Sequence, residues 1–124
     1  MYDRGNVFAK ILNKKLPCDS VYEDSNILIF HDINPAAPIH LIAIPKGEFV
    51  SFDDFSQKAT IEQIKSFFSS IQKVAKQLGL ANTGYRLITN HGKDAMQTVG
   101  HFHVHILAGK PLGALVAGDQ YHNK

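Results

Sequence analysis

One helical stripe and several short strand-like runs organise the apolar positions of this chain. From Thr60 to Leu78 apolar residues recur at helical spacing, at Ile61, Ile64, Phe67, Phe68, Ile71, Val74 and Leu78, and Gly79 is placed to stop the helix. Glu62, Lys65, Gln72, Lys73 and Lys76 fall on the opposite face, so the spacing predicts one long amphipathic helix laid across a sheet. A short helix is predicted after Asn6, a suitable N-cap, with Val7, Phe8, Ile11 and Leu12 on one face and Pro17 closing the segment. Asp53-Asp54 read as loop or first-turn acids near the start of the long helix, where the dipole favours negative charge.

The strand-like runs are shorter. Val21-Tyr22-Glu23 and Ile27-Leu28-Ile29-Phe30 flank the turn residues Asp24-Ser25-Asn26 and predict a hairpin. Pro35 and Pro38 break the chain after Asp32, because neither offers a ladder donor, and a strand resumes over His40 to Pro45. Tyr85 to Thr89 reads as a strand and Asn90 to Asp94 as a loop. His101-Phe102-His103-Val104-His105-Ile106-Leu107 then alternates with a period of two. On a strand this puts His101, His103 and His105 on one face and Phe102, Val104 and Ile106 on the other. Strands in two sets around one long helix predict an α+β fold with a largely antiparallel sheet, one long helix and one short helix.

Composition narrows the class. With 124 residues and 44% hydrophobic content, residues 1–124 fit one compact domain, with a tail from about residue 111 to 124. The net charge of +2, from 13 basic and 11 acidic residues spread along the chain, is too dilute for a nucleic-acid-binding surface. No run of about 20 apolar residues occurs, so no membrane span is expected. The single cysteine, Cys18, has no partner for a disulfide or a metal-binding pair; it reads as a partly buried bystander in a reducing, cytoplasmic setting.

The candidate chemistry lies with the histidines. At about 3.3 Å rise per residue, alternate imidazoles on a strand start roughly 6–7 Å apart, a span that one phosphate and its leaving group can bridge. Three neutral imidazoles can also ligate zinc. Positions i, i+2 and i+4 are nevertheless strung too far apart for all three to meet one ion at about 2.0–2.1 Å, and no metal is expected.

Three motifs in order carry a family resemblance: Phe30-His31-Asp32-Ile33-Asn34-Pro35-Ala36-Ala37-Pro38-Ile39-His40, Gly84-Tyr85-Arg86-Leu87-Ile88-Thr89-Asn90, and Gln97-Thr98-Val99-Gly100-His101-Phe102-His103-Val104-His105. The sequence resembles the histidine triad (HIT) family, in its branch of purine-nucleotide phosphoramidases, from about Asn6 to Lys110. The resemblance implies a hydrolase, without a cofactor, that removes a substituent from the α-phosphate of a purine nucleoside monophosphate such as an AMP or GMP conjugate. His103 corresponds to the family nucleophile, which forms a nucleotidyl-histidine intermediate that water resolves. His105 corresponds to the residue that touches phosphate and leaving group as acid or donor. His101 and His40 correspond to supporting rings that fix orientation and charge.

The same correspondence makes Asp32 the acceptor of both ribose hydroxyls, a task suited to an acceptor-only carboxylate. Asn90, Thr98 and the amide near Val99 match phosphate contacts. Val7, Phe8, Ile11, Phe30 and Ile33 match the apolar slot for the base. His31, His91 and His122 match no site position and read as surface residues. Relatives commonly place glycines where this chain has Ala95-Met96; if those glycines serve a positive φ or a close approach to phosphate, Ala and Met reshape the leaving-group side. A homodimer is implied, with Thr60 to Leu78 supplying apolar surface and Phe67-Phe68 one aromatic more than a single face needs. The alternatives are a dinucleoside polyphosphate hydrolase of the same family, a purine-nucleotide-binding regulatory module with little turnover, and a zinc hydrolase.

Overall fold

A computed structural model describes residues 1–118; His122 and Asn123 of the tail therefore lie outside the described residues. Four helices and five strands are present among them: α1 Val7–Leu12, β1 Ser20–Glu23, β2 Ile27–His31, β3 Ile39–Pro45, α2 Phe52–Lys58, α3 Ile61–Gln77, α4 Leu80–Thr83, β4 Arg86–Ile88 and β5 Val104–Ala108. The strands form one antiparallel sheet in the order β1-β2-β3-β5-β4. The architecture is α+β, as the strand and helix signals predict.

Alternation along β2 and β3 divides the core in two. Ile27, Ile29, Leu41 and Ala43 point to the face covered by α3, where they meet Phe67, Ile71, Val74 and Ala75 together with Phe55 and Phe102. Leu28, Phe30, Ile42 and Ile44 point the other way, against Phe8 and Ile11 of α1. Strands buried on both faces read as continuous apolar runs, which is why Ile27 to Phe30 and Leu41 to Ile44 show no alternation in sequence. One turn and a half of helix is marginal alone, so α1 holds its shape through this packing and through its cap, where Asn6 Oδ1 accepts from Ala9 N–H at 2.9 Å.

The long helix is bounded by local chemistry. Thr60 Oγ1 accepts from Gln63 N–H at 3.0 Å while Gln63 Oε1 accepts from Thr60 N–H at 2.8 Å, a reciprocal cap contributing roughly 1 kcal/mol. At the far end Gly79 adopts φ 76°, the left-handed conformation that lets the chain leave the helix.

Two expectations need correction. Two further short helices exist besides the long and short ones predicted. Asp53 and Asp54 lie in the first turn of α2 rather than at the start of α3, and α4 is a single turn. Both are too short to display a period, and each is anchored by one buried residue, Phe55 and Leu80 respectively. The aromatic pair divides in line with the expected surplus, Phe67 buried in the core and Phe68 41% exposed. Finally, the histidine strand starts only at Val104. The β3–β5 register would set Phe102 opposite Pro45, which has no N–H, and the Pro45 carbonyl accepts from His101 Nε2 at 2.9 Å. Phe102 N–H instead donates to Phe49 O at 2.7 Å. The ladder stops there, yet the alternation of faces continues: Phe102 joins Val104 and Ile106 in the α3-side core.

Candidate functional site

The sheet face opposite α3 is only partly covered by α1. What remains is a cleft of about 630 Å³, floored by Phe30, Ile42, His103 and His105 and walled by α1, the Asp32–Asn34 turn and the loop joining β4 to β5. The alternation that buries Val104 and Ile106 under α3 turns the histidines towards this side.

Hydrogen-bond partners fix the state of each ring. His103 Nδ1 lies 2.7 Å from the His101 carbonyl, which can only accept, so Nδ1 carries the proton and Nε2 keeps its lone pair. Burial holds the His103 pKa below the ordinary 6.5, which favours this neutral form. Phe8 packs edge-on against the ring at 4.9 Å between centroids and fixes its plane.

His105 is set by a chain of bonds. Ala36 N–H donates to His40 Nδ1 at 2.9 Å, so the His40 proton sits on Nε2 and donates to His105 Nδ1, also at 2.9 Å. The His105 proton is then on Nε2. Burial, with the His103 and His40 rings alongside, pushes the His105 pKa down to about 4, so near neutrality it is an uncharged N–H donor. The His103 and His105 rings are 5.1 Å apart between centroids, closer than a flat strand would set them.

His101 differs from the other two. It is fully buried, donates Nε2–H to the Pro45 carbonyl and accepts at Nδ1 from the Tyr2 hydroxyl at 2.6 Å. Burial lowers its pKa to about 4. Both nitrogens are occupied, so it supports the site without reaching the cleft. Tyr2 carries no periodicity or motif and is not foreseeable from the sequence.

Asp32 lines the cleft at the end of β2. Its Oδ1 accepts from Asn34 N–H at 2.7 Å, tying the turn, and its Oδ2 lies 3.4 Å from His40 Nε2. Asp32, His40 and His105 are the trio among the described residues whose ligand atoms come within 4.8 Å of one another. Their two nitrogens at 2.9 Å are closer than the roughly 3.3 Å expected between ligands of a tetrahedral zinc, and the directional bonds account for both. The two histidines are joined by a hydrogen bond, and Asp32 stands beside them, held by Asn34 N–H.

Across the cleft, residues 90–99 form a pinned loop. Asn90 Nδ2 donates to Ala95 O at 2.7 Å, so Asn90 braces the loop as well as lining the cleft. Gln97 accepts from Gly92 N–H and donates to Val50 O and Val99 O. Met96 adopts φ 63°, a left-handed conformation that costs a non-glycine residue about 1 kcal/mol or more. Thr98 and Val99 complete this wall.

The cleft thus brings together Val7, Phe8, Ile11, Phe30, Asp32, Ile33, Asn90, Thr98, Val99, His103 and His105. Ile33 stands on its rim, 91% exposed. His40 joins through His105. The sequence reading missed Leu16, Pro17, Cys18, His31, Asn34, Ile42 and Gln97, which also line it, as does Met96. Cys18 is exposed, not partly buried, and His31 is exposed as expected but at the cleft. His91 is an exposed residue 3.7 Å from Asp53 Oδ2, away from the site.

Residues 13–112 match the model of the HIT domain. The chain belongs to the HIT family. A HIT-like protein of Rickettsia prowazekii is 53% identical over 116 residues, 94% of this chain and 97% of that one. The purine nucleoside phosphoramidase of Escherichia coli K12 is 37% identical over 111 residues, covering 90% and 92%. Among solved structures, a HIT family hydrolase from Clostridium thermocellum superposes with a TM-score of 0.83 at 38% identity, covering 92% of this chain and 98% of the other. These relatives support hydrolase activity for this HIT protein. No helix among its described residues is long and apolar enough to cross a membrane.

Proposed function

We propose that this HIT protein is a nucleotidyl hydrolase that cleaves a P–N bond at the α-phosphate of a purine nucleoside 5′-monophosphate derivative, through a nucleotidyl intermediate on His103. The observation that carries the reading is the pair of opposed tautomers: His103 offers an Nε2 lone pair and His105, 5.1 Å away between ring centroids, offers an Nε2–H. One ring can attack phosphorus while the other hydrogen-bonds the departing nitrogen. The departing nitrogen takes up a proton from solvent and leaves as the amine, and water gives a proton back to solvent when it displaces the nucleotide from His103. His101 and His40 act as positioning residues, through the carbonyl that holds His103 and the bond that sets His105.

The surroundings suit such a substrate. No Lys or Arg is among the residues lining the cleft, and Asp32 is close by, so a singly charged phosphoryl ester suits it better than a dianion. Thr98, Asn90 and the Val99 amide supply neutral donors. Asp32 retains lone pairs for the ribose hydroxyls, and Val7, Phe8, Ile11, Phe30 and Ile33 form an uncharged slot for the base. Cys18 as a free, exposed thiol fits a cytoplasmic location.

The direct test is steady-state turnover of adenosine 5′-phosphoramidate, with and without a chelator, beside its 2′-deoxy analogue. Turnover insensitive to chelator is expected, and loss of one charge-assisted bond of roughly 1.5–3 kcal/mol lowers kcat/KM for the deoxy substrate about tenfold or more. Binding without turnover would sink the enzymatic reading. Equal rates for the two sugars would remove Asp32 from ribose recognition.

A homodimer is part of the same proposal. Ile61 and Phe68 on α3 and Leu78 at its C-cap are 89%, 41% and 46% exposed, and Leu87 on the edge strand β4 is 43% exposed. An apolar helix surface beside an open sheet edge suits joining of two sheets across a two-fold axis. Sedimentation velocity at micromolar concentration is expected to give a dimer, and monomer alone would defeat the idea.

A further inference from the structure

Met96 is a long apolar side chain set where the backbone favours glycine. Its φ of 63° lies in the left-handed region, and bonds on either side keep it there: Met96 N–H donates to Lys93 O and Gln97 N–H to Gly92 O, both at 3.0 Å. The Asn90 bond to Ala95 O and the Gln97 side chain hold the flanking residues. The side chain so fixed is 76% exposed, yet it lines the same cleft as Thr98 and His105. It fills no core in this protein. Most of its surface is exposed, and it belongs to the cleft lining.

Position decides what that surface can meet. The apolar residues of α1 pack over β2 and β3, whereas the loop carrying Met96 joins β4 to β5. The reactive histidines lie on and just before β5, which runs between β3 and β4 and leaves the apolar slot proposed for the base on the α1 side and the Met96 loop on the other. A thioether is flexible and polarisable and packs well on aromatic rings. Resting on the nucleotidyl-hydrolase reading above, we propose that Met96 is a specificity-determining residue that packs on the leaving group, and that the preferred substrates carry an amine with an apolar, aromatic body. The unsubstituted phosphoramidate lacks that contact.

The test compares two substrates, adenosine 5′-phosphoramidate and its N-(2-phenylethyl) derivative, on the full chain, Met96→Gly and Met96→Leu. The readout is the ratio of their kcat/KM values, phenylethyl to unsubstituted. The ratio is expected to fall about tenfold in Met96→Gly, the scale on which an apolar contact discriminates, and to stay within about twofold of wild type in Met96→Leu. Met96→Gly should melt at or above the wild-type temperature, since glycine is free to adopt the left-handed turn, so its effect is not one of misfolding. An unmoved ratio in Met96→Gly, with both substrates turned over by wild type, overturns the role of Met96 and leaves the parent reading intact. Failure of wild type to turn over either substrate overturns both.

Discussion

With alanine in place of His103, kcat is expected to fall by roughly 10⁴-fold or more, because neither of the other two histidines of its run presents a free imidazole lone pair to phosphorus. His101 has both nitrogens bonded inside the protein, and His105 Nδ1 faces His40 while its other nitrogen carries hydrogen. Nucleotide affinity should change little, since the apolar slot and Asp32 are untouched. The pH profile follows from burial. The His103 pKa is held below 6.5, so the neutral, attacking form persists as pH falls past 6.5, and the acid limb of kcat/KM should lie below that value. Mass spectrometry of rapidly quenched wild-type protein, kept above acid pH because P–N bonds are acid-labile, should place a nucleotidyl adduct on the peptide containing His103. Normal product formation in a single turnover with no adduct would rule out this nucleophile.

How much of this was legible in the sequence varies with the physics behind each feature. The long helix was legible because 17 residues display several turns of a one-sided pattern; α2 and α4, at seven and four residues, cannot. The facing of His103 and His105 was legible because alternation survives even where the ladder has ended at Pro45. Their protonation was not, since it depends on Ala36 N–H and the His101 carbonyl, and backbone groups carry no sequence signature. Tyr2 was hidden for a similar reason: it lies 99 positions from His101, and the contact exists only after folding. The Ala95-Met96 departure was visible as sequence, whereas the positive φ at Met96 is a property of the pinned loop.

The bond between His40 and His105 leads to the second large effect. In His105→Ala the departing nitrogen loses its hydrogen-bond donor, and kcat should drop about 10²–10⁴-fold with an alkylamine leaving group. The loss should be far smaller with para-nitrophenolate, which departs unaided. His40→Ala should show the same leaving-group dependence in weaker form: His105 remains, but nothing keeps its proton on Nε2, and the tautomer with the proton on Nδ1 points a lone pair at the leaving group. A plot of log kcat against leaving-group pKa should therefore steepen in the order wild type, His40→Ala, His105→Ala. Equal losses with good and poor leaving groups would mean that His105 holds the phosphate rather than the departing atom. A steeper plot for His40→Ala than for His105→Ala would place the donor on His40, contrary to a ring whose Nδ1 is already taken by Ala36 N–H at 2.9 Å.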